Sequence, residues 1–310
     1  MTAESLTVGG TARKRRGARE ARKAVEGGIQ VVFLLCGTLA VGFVLLISIY
    51  LILSGLPAIR QIGLTDFLFG RVWDPTNATT GAEFGILPFI LTSIYGTAGA
   101  VVLGVPVGLL TAVYLAKIAP PKVAVAIRTA VQLLTGIPSV VYGLVGMIVL
   151  VPAIQRTFSL SSGACLLAAM IVLAIMILPS IINVAENALR AVPKEYEEAS
   201  LALGATKLET YFKVTLPAAG SGVAAAIVLG VGRAIGEAMA IIMVSGNVSN
   251  MPSVFAPVRF LTTGIVSGMG YAQVGSLYHQ ALFSIGLVLF LFIMLINVLL
   301  NVLIKKKGDA

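Results

Sequence analysis

The sequence predicts an all-α integral membrane protein with six transmembrane helices. Hydrophobic residues make up 58% of the 310-residue chain and charged residues only 11%, against about a quarter charged in a soluble domain. The mean hydropathy is +0.99. Apolar stretches long enough to cross a bilayer as helices recur along the chain, separated by short polar segments.

Residues 1–28 carry Arg13, Lys14, Arg15, Arg16, Arg19, Arg22 and Lys23 and read as a disordered basic cytoplasmic tail. The formal charge of +9 is not accompanied by a basic, aromatic-interleaved domain, so no nucleic-acid partner is expected. Orientation in the lipid membrane accounts for it better. The first span is placed at 29–53. It is too long for a signal-peptide core and lacks a convincing cleavage site, so it is expected to be retained. In residues 55–84, Leu56, Ile59, Ile62, Leu64, Phe67, Phe69 and Trp73 suggest an amphipathic piece lying at the outer interface. Asn77-Ala78-Thr79 matches a glycosylation sequon, which is weak evidence by itself.

Spans two, three and four are placed at 90–115, 129–151 and 165–185. Gly104 and Gly108 have the spacing for close helix contact. Pro106, Pro138 and Pro179 should each kink or break a helix. A polar loop at 193–217 precedes span five at 218–245. An outer loop with a re-entrant or short helical piece follows at 246–278. Span six, at 280–304, ends in Lys305-Lys306-Lys307. With the N-terminus inside, only Arg60, Arg71, Arg156 and Arg259 fall in outside segments, while 17 of the 22 Lys and Arg lie inside. Both termini are therefore expected in the cytoplasm, in a multi-pass inner-membrane protein. Cys36 and Cys165 lie in apolar spans and read as buried small hydrophobes. His279, near the start of span six, reads as a packing residue.

The polar loop, Pro193 to Pro217, reads as two short helices. Pro193 suits a first helical position, and Glu195, Glu197 and Glu198 suit the first turn. Gly204 stands where a left-handed C-terminal residue is wanted. Thr206 and Glu209 have the spacing of a capping box. Leu208, Tyr211 and Phe212 give the second helix an apolar side. The loop is either a docking surface or an ordinary polar loop that happens to be helical.

No catalytic constellation and no phosphate-binding P-loop occurs, so neither enzymatic activity nor a bound cofactor or metal is expected. Gly230, Gly232 and Gly236 read as small residues for helix packing. Arg233 and Glu237 are four apart in span five and are expected to share a helix face, with Ala226, Gly230 and Ala240 near it. A charge at mid-bilayer costs roughly 2.5–3.5 kcal/mol on insertion scales. The two are either a self-neutralising ion pair or a cation on an anion path tuned by a carboxylate. Gly136-Ile137-Pro138-Ser139 with Tyr142 is a second candidate: a break at Pro138 would expose a half-helix N-terminus, though simple kinking is the plainer reading.

Glu198-Ala199-Ser200, Gly204 and Val214-x-Leu216-Pro217 resemble the EAA loop of ABC importer permeases, with Ser200 and Val214 as mild departures. Together with FGILPFILTSIYGT (84–97), LLTGIPSVVYGLVG (133–146), GRAIGEAMA (232–240) and ALFSIGLVLFLFIMLINVLLN (281–301), the chain resembles the PstC family of phosphate importer permeases over most of residues 56–304. The resemblance implies a MetI-like helix arrangement and a permease subunit forming half of the path for inorganic phosphate. It implies a PstA-type second permease, two ATP-binding subunits that carry the hydrolysis, and an extracytoplasmic phosphate-binding protein. The resemblance assigns the loop, with Glu198, Ala199, Ser200, Gly204, Leu208, Leu216 and Pro217, to coupling with the ATPase; Arg233, Glu237, Ser139 and Tyr142 are the substrate-path candidates on the reading of the residues themselves. Permeases for sulfate, molybdate or phosphonate, an ATP-independent carrier, and a structural or sensory membrane subunit are the alternatives.

Overall fold

The computed structural model describes residues 4–77 and 81–308, with side chains described for 26–77, 81–300 and Val302. Ala78 and Thr79 of the sequon lie outside them. The chain divides into two compact units, Met1–Leu53 and Ser54–Ala310. The first is most of helix α1, Glu4–Ile62. The basic segment expected to be disordered is thus helical from Glu4. Its Ala, Arg, Lys and Glu residues are all good helix formers, which outweighs their low hydrophobicity.

In the second unit, α2 (Leu64–Phe69) and a hairpin of β1 (Trp73–Asp74) and β2 (Glu83–Phe84) precede the next long helix. The expectation of an amphipathic piece lying at an interface is corrected here. Phe67 and Trp73 are buried in a cluster with Phe84, Phe89, Leu261 and Leu282. Trp73 meets Phe84 edge-on at 5.6 Å and Tyr278 at 6.2 Å. Aromatic pairing and burial anchor this segment more strongly than a one-sided apolar stripe would.

Helix α3 (Leu87–Val113) continues as a π-helical turn, Tyr114–Ile118. Helix α4 (Pro121–Gly136) ends at an extended Ile137, and α5 (Ser139–Val145) begins after Pro138; a π-helical turn at Gly146–Leu150 joins α5 to α6 (Val151–Thr157). The third span is therefore 139–157, not 129–151. Proline forces its predecessor out of the helical region and removes a donor, so the helix stops at Gly136. Pro106 and Pro179, by contrast, lie inside α3 and α7 (Leu166–Ala191), neither of which breaks. Neighbouring helices can tolerate prolines in this way.

The polar loop forms α8 (Lys194–Ala202), α9 (Lys207–Thr210), a π-helical turn Tyr211–Thr215 and α10 (Leu216–Ala218). The chain then bends by 73° into α11 (Gly220–Gly236). The fifth span does not run unbroken to 245. It stops at Gly236, and α12 (Met239–Val244) follows. Helix α13 (Leu261–Met269) is the short helical piece expected in the 246–278 loop, and α14 (Leu277–Gly308) is the last helix. Five helices among the described residues are long and apolar enough to cross a membrane, six if α11 and its bent partner form one span.

Helix α7 is the centre of this unit. Ile177 and Ile181 are fully buried between two glycine-bearing helices. A Cβ added at Gly104 or Gly108 of α3 would lie 3.0 Å from Ile177 or 2.9 Å from Ile181, and one at Gly230 of α11 would lie 3.0 Å from Ile181. The small residues let three backbones approach, as their spacing predicts. Gly232 and Gly236, also expected to pack, instead border open space. Cys165 is buried, whereas Cys36 is exposed on its helix.

Candidate functional site

Two assemblies stand out. The first is the polar loop. Pro193 is the N-cap of α8 rather than its first helical residue. Gly204 has φ of +87°; its N–H donates to Leu201 O at 3.0 Å and that of Ala205 to Ser200 O at 3.2 Å. This is a Schellman C-terminus, which glycine allows without strain. Thr206 and Glu209 form the expected capping box: Thr206 Oγ1 accepts from Glu209 N at 3.3 Å, and Glu209 Oε2 accepts from Thr206 N at 3.1 Å. Hydrogen bonds from the Thr206 backbone and hydroxyl, then Lys213, hold the Glu209 carboxyl below the usual carboxylate range.

Between these caps the loop shows an apolar, exposed surface. Leu203 is 90% exposed and Leu208 60%; Tyr196 and Phe212 are exposed too. Glu198, Ala199 and Pro217 are exposed beside them. Ser200 and Leu216 turn partly inward. Ser200 Oγ lies 2.9 Å from Thr210 Oγ1, and Leu216 packs against the cluster of Ala112, Leu189 and Ala219. Ser200 thus ties α8 to α9 and Leu216 fastens the loop to the unit, while the others face outward.

The second assembly is the pair of helix breaks. Ile137 (φ −75°, ψ 126°) and Glu237 (φ −74°, ψ 132°) have nearly the same backbone, each following a glycine at a helix end. The short helices beyond them, α5 and α12, meet where a Cβ added at Gly143 would lie 2.8 Å from Ala240 Cα. Tyr142 Oη donates to Leu134 O at 2.7 Å, the same carbonyl that accepts the Ile137 N–H at 3.3 Å at the helix end. Ser139 opens α5 and is partly exposed. Arg233 donates to Ser180 Oγ at 3.5 Å, a long contact.

The expected Arg233–Glu237 helix face is corrected by this geometry. The helix ends at Gly236, so the two residues no longer share one turn. The Glu237 carboxylate accepts the N–H of Ala240 at 3.0 Å, while its carbonyl accepts the Thr262 hydroxyl at 2.7 Å. A carboxylate is favoured at a helix start, where N–H groups lack partners. Ala226, Gly230 and Ala240 are likewise packed away: Gly230 against Ile181 and Ala240 against Gly143. Gly136, Gly232 and Gly236 have nothing within 4 Å of an added Cβ. Arg233 is partly exposed and has no carboxylate partner within ion-pair distance among the described residues.

Several charged residues were not singled out from sequence. Arg259 donates from Nε to Asn247 O at 3.0 Å and from Nη2 to the same oxygen at 2.6 Å, and lies 5.7 Å from the Phe89 ring centroid. Burial pushes its guanidinium below the ordinary arginine value. Glu186 and Arg190, four apart at the end of an apolar span, form an ionic cluster with Arg128 in which the carboxylate is buried and the two arginines reach outward. That pair of charges inside apolar sequence was the available signal.

Residues 104–307 match the family described as binding-protein-dependent transport system inner membrane component. The chain is 38% identical over 289 residues to the probable ABC transporter permease protein YqgH of Bacillus subtilis, covering 91% of this chain and 93% of that protein. It is 34% identical over 265 residues to the phosphate transport system permease protein PstC of Pasteurella multocida, covering 78% and 81%. Its fold is similar to that of a solved MetNI methionine ABC transporter chain (TM-score 0.56, 21% identity, 72% of this chain and 97% of that one). A bacterial alginate ABC transporter chain is similar as well (TM-score 0.60, 17% identity, 88% and 94%). The chain belongs to the binding-protein-dependent inner-membrane permease family, in its PstC-type branch.

Proposed function

We propose that this chain is the permease subunit of an ATP-driven importer of inorganic phosphate. Arg233, partly exposed in the last turn before a helix break and with no carboxylate paired to it among the described residues, carries the reading. A guanidinium offers an oxyanion two parallel donors. Ser139 and Tyr142 at the facing break complete the path. Glu237 holds the break in shape rather than neutralising Arg233. Relatives named as phosphate transport permeases support the choice of substrate.

On this reading the polar loop docks an ATP-binding subunit through Glu198, Ala199, Leu208 and Pro217, with Gly204 setting its turn. A PstA-type permease supplies the other half of the path. Two ATPase subunits and an extracytoplasmic phosphate-binding protein complete the assembly, and both termini are cytoplasmic. The test is the reconstituted complex in proteoliposomes, with uptake of phosphate, sulfate and molybdate compared. Phosphate-stimulated ATP turnover with uptake of phosphate over the other two supports the proposal. Turnover stimulated only by another oxyanion, or uptake without ATP, refutes it.

A further inference from the structure

The π-helical turn at the end of α3, Tyr114–Ile118, is held from two sides by ionic groups. The last carbonyls of a helix lack intrahelical partners. Leu115 O accepts from Arg190 Nη2 at 2.8 Å and from Arg128 Nη2 at 3.4 Å. Glu186 Oε1 accepts the Nε of Arg128 at 2.7 Å and that of Arg190 at 2.8 Å, and Glu186 is buried. Positive charge at a helix C-terminus also satisfies the dipole.

Two residues further on, Lys117 Nζ lies 2.5 Å from Glu197 Oε1, with the side chains 12% and 18% exposed. The same oxygen accepts the hydroxyl of Thr215 at 3.2 Å, and Thr215 is fully buried. Glu197 thus joins three pieces: α8, the π-helical turn before α10, and the end of α3. Its neighbours Glu195 and Glu198 are exposed. A shielded, hydrogen-bonded pair is far less screened than a surface ion pair. Helix α3 is itself seated on α7 through Gly104 and Gly108. Close-packed contacts of this kind transmit strain rather than absorb it.

We propose that Glu197 is the positioning residue that carries displacement of the docking loop into α3 through Lys117, while Glu186 and its two arginines hold the same turn to α7. This rests on the reading of the loop as an ATPase dock, and adds the route by which the dock acts.

The experiment uses the full complex with its binding protein in proteoliposomes, and measures phosphate uptake and ATP hydrolysis together. Glu197→Gln should retain the ATPase subunits and hydrolyse ATP, with uptake per ATP lowered about fivefold. The charge-reversed pair Lys117→Glu/Glu197→Lys should restore most of that ratio, whereas Glu197→Lys alone should not. An unchanged ratio in Glu197→Gln, or no recovery in the reversed pair, overturns the proposal. Loss of the ATPase subunits from Glu197→Gln also overturns it, because Glu197 would then belong to the dock itself. If Glu197→Gln does not accumulate, Thr215→Val decides: a lowered ratio supports the route and a wild-type ratio overturns it. Failure of the wild-type complex to retain ATPase subunits would instead refute the docking reading.

Discussion

The Glu237 carboxylate accepts the backbone N–H of Ala240 at 3.0 Å and leaves Arg233, one helical turn earlier in sequence, without it. The helix end at Gly236 separates them. A charge that insertion scales disfavour by roughly 2.5–3.5 kcal/mol is therefore not neutralised by its nearest acid in sequence, and the proposed role of Arg233 as an anion partner rests on this.

Arg233→Gln should lower phosphate uptake about 10- to 100-fold, the range expected for losing charge-assisted hydrogen bonds. Arg233→Lys should fall between it and wild type, because the charge stays but the fork is lost. The swap Arg233→Glu/Glu237→Arg should not recover uptake, since the two are not partners. Uptake assays at matched complex levels in the membrane check all three; recovery by the swap would contradict the geometry.

Glu237→Gln keeps an oxygen that can accept the Ala240 N–H and should retain most of the uptake. Glu237→Ala removes the cap and should destabilise the α11–α12 break by about 1 kcal/mol. Thermal unfolding of the purified complex should show a lower midpoint for Glu237→Ala than for Glu237→Gln.

Gly204→Val should leave membrane insertion intact and weaken retention of the ATPase subunit in mild detergent. The open space around Gly204 means that no clash is involved. The penalty comes from φ of +87°, on the order of 1–2 kcal/mol for a residue with a Cβ. Gly204→Asn should be milder, because Asn tolerates the left-handed region. Equal retention by wild type and Gly204→Val would remove this turn from the dock.

With Cys36 and Cys165 replaced, Pro75→Cys and Phe255→Cys should react with an impermeant thiol reagent added outside intact cells, and Lys207→Cys should not. The expectation follows from the positive-inside distribution of Lys and Arg. Labelling of position 207 from outside would reverse the assigned orientation.

What the sequence determined by itself was whatever depends on local chemistry. Uncharged runs specify spans because a bilayer accepts little else. The Thr206–Glu209 cap and the Gly204 turn were legible because capping and positive φ are short-range requirements. Gly104 and Gly108 announced a close helix contact through spacing alone, and the packing made α7 the partner. Tertiary structure decided what depends on partners far along the chain. Arg233 and Glu237 look like a helical pair at i, i+4, yet the Thr262 hydroxyl on Glu237 O and the Ala240 N–H on its carboxylate support a break that no nearby proline announces. Glu197 looks like its exposed neighbours Glu195 and Glu198, and only the approach of Lys117, 80 positions away in the chain, distinguishes it. Buried polar groups must find partners, but which partners they find is fixed by how distant segments pack.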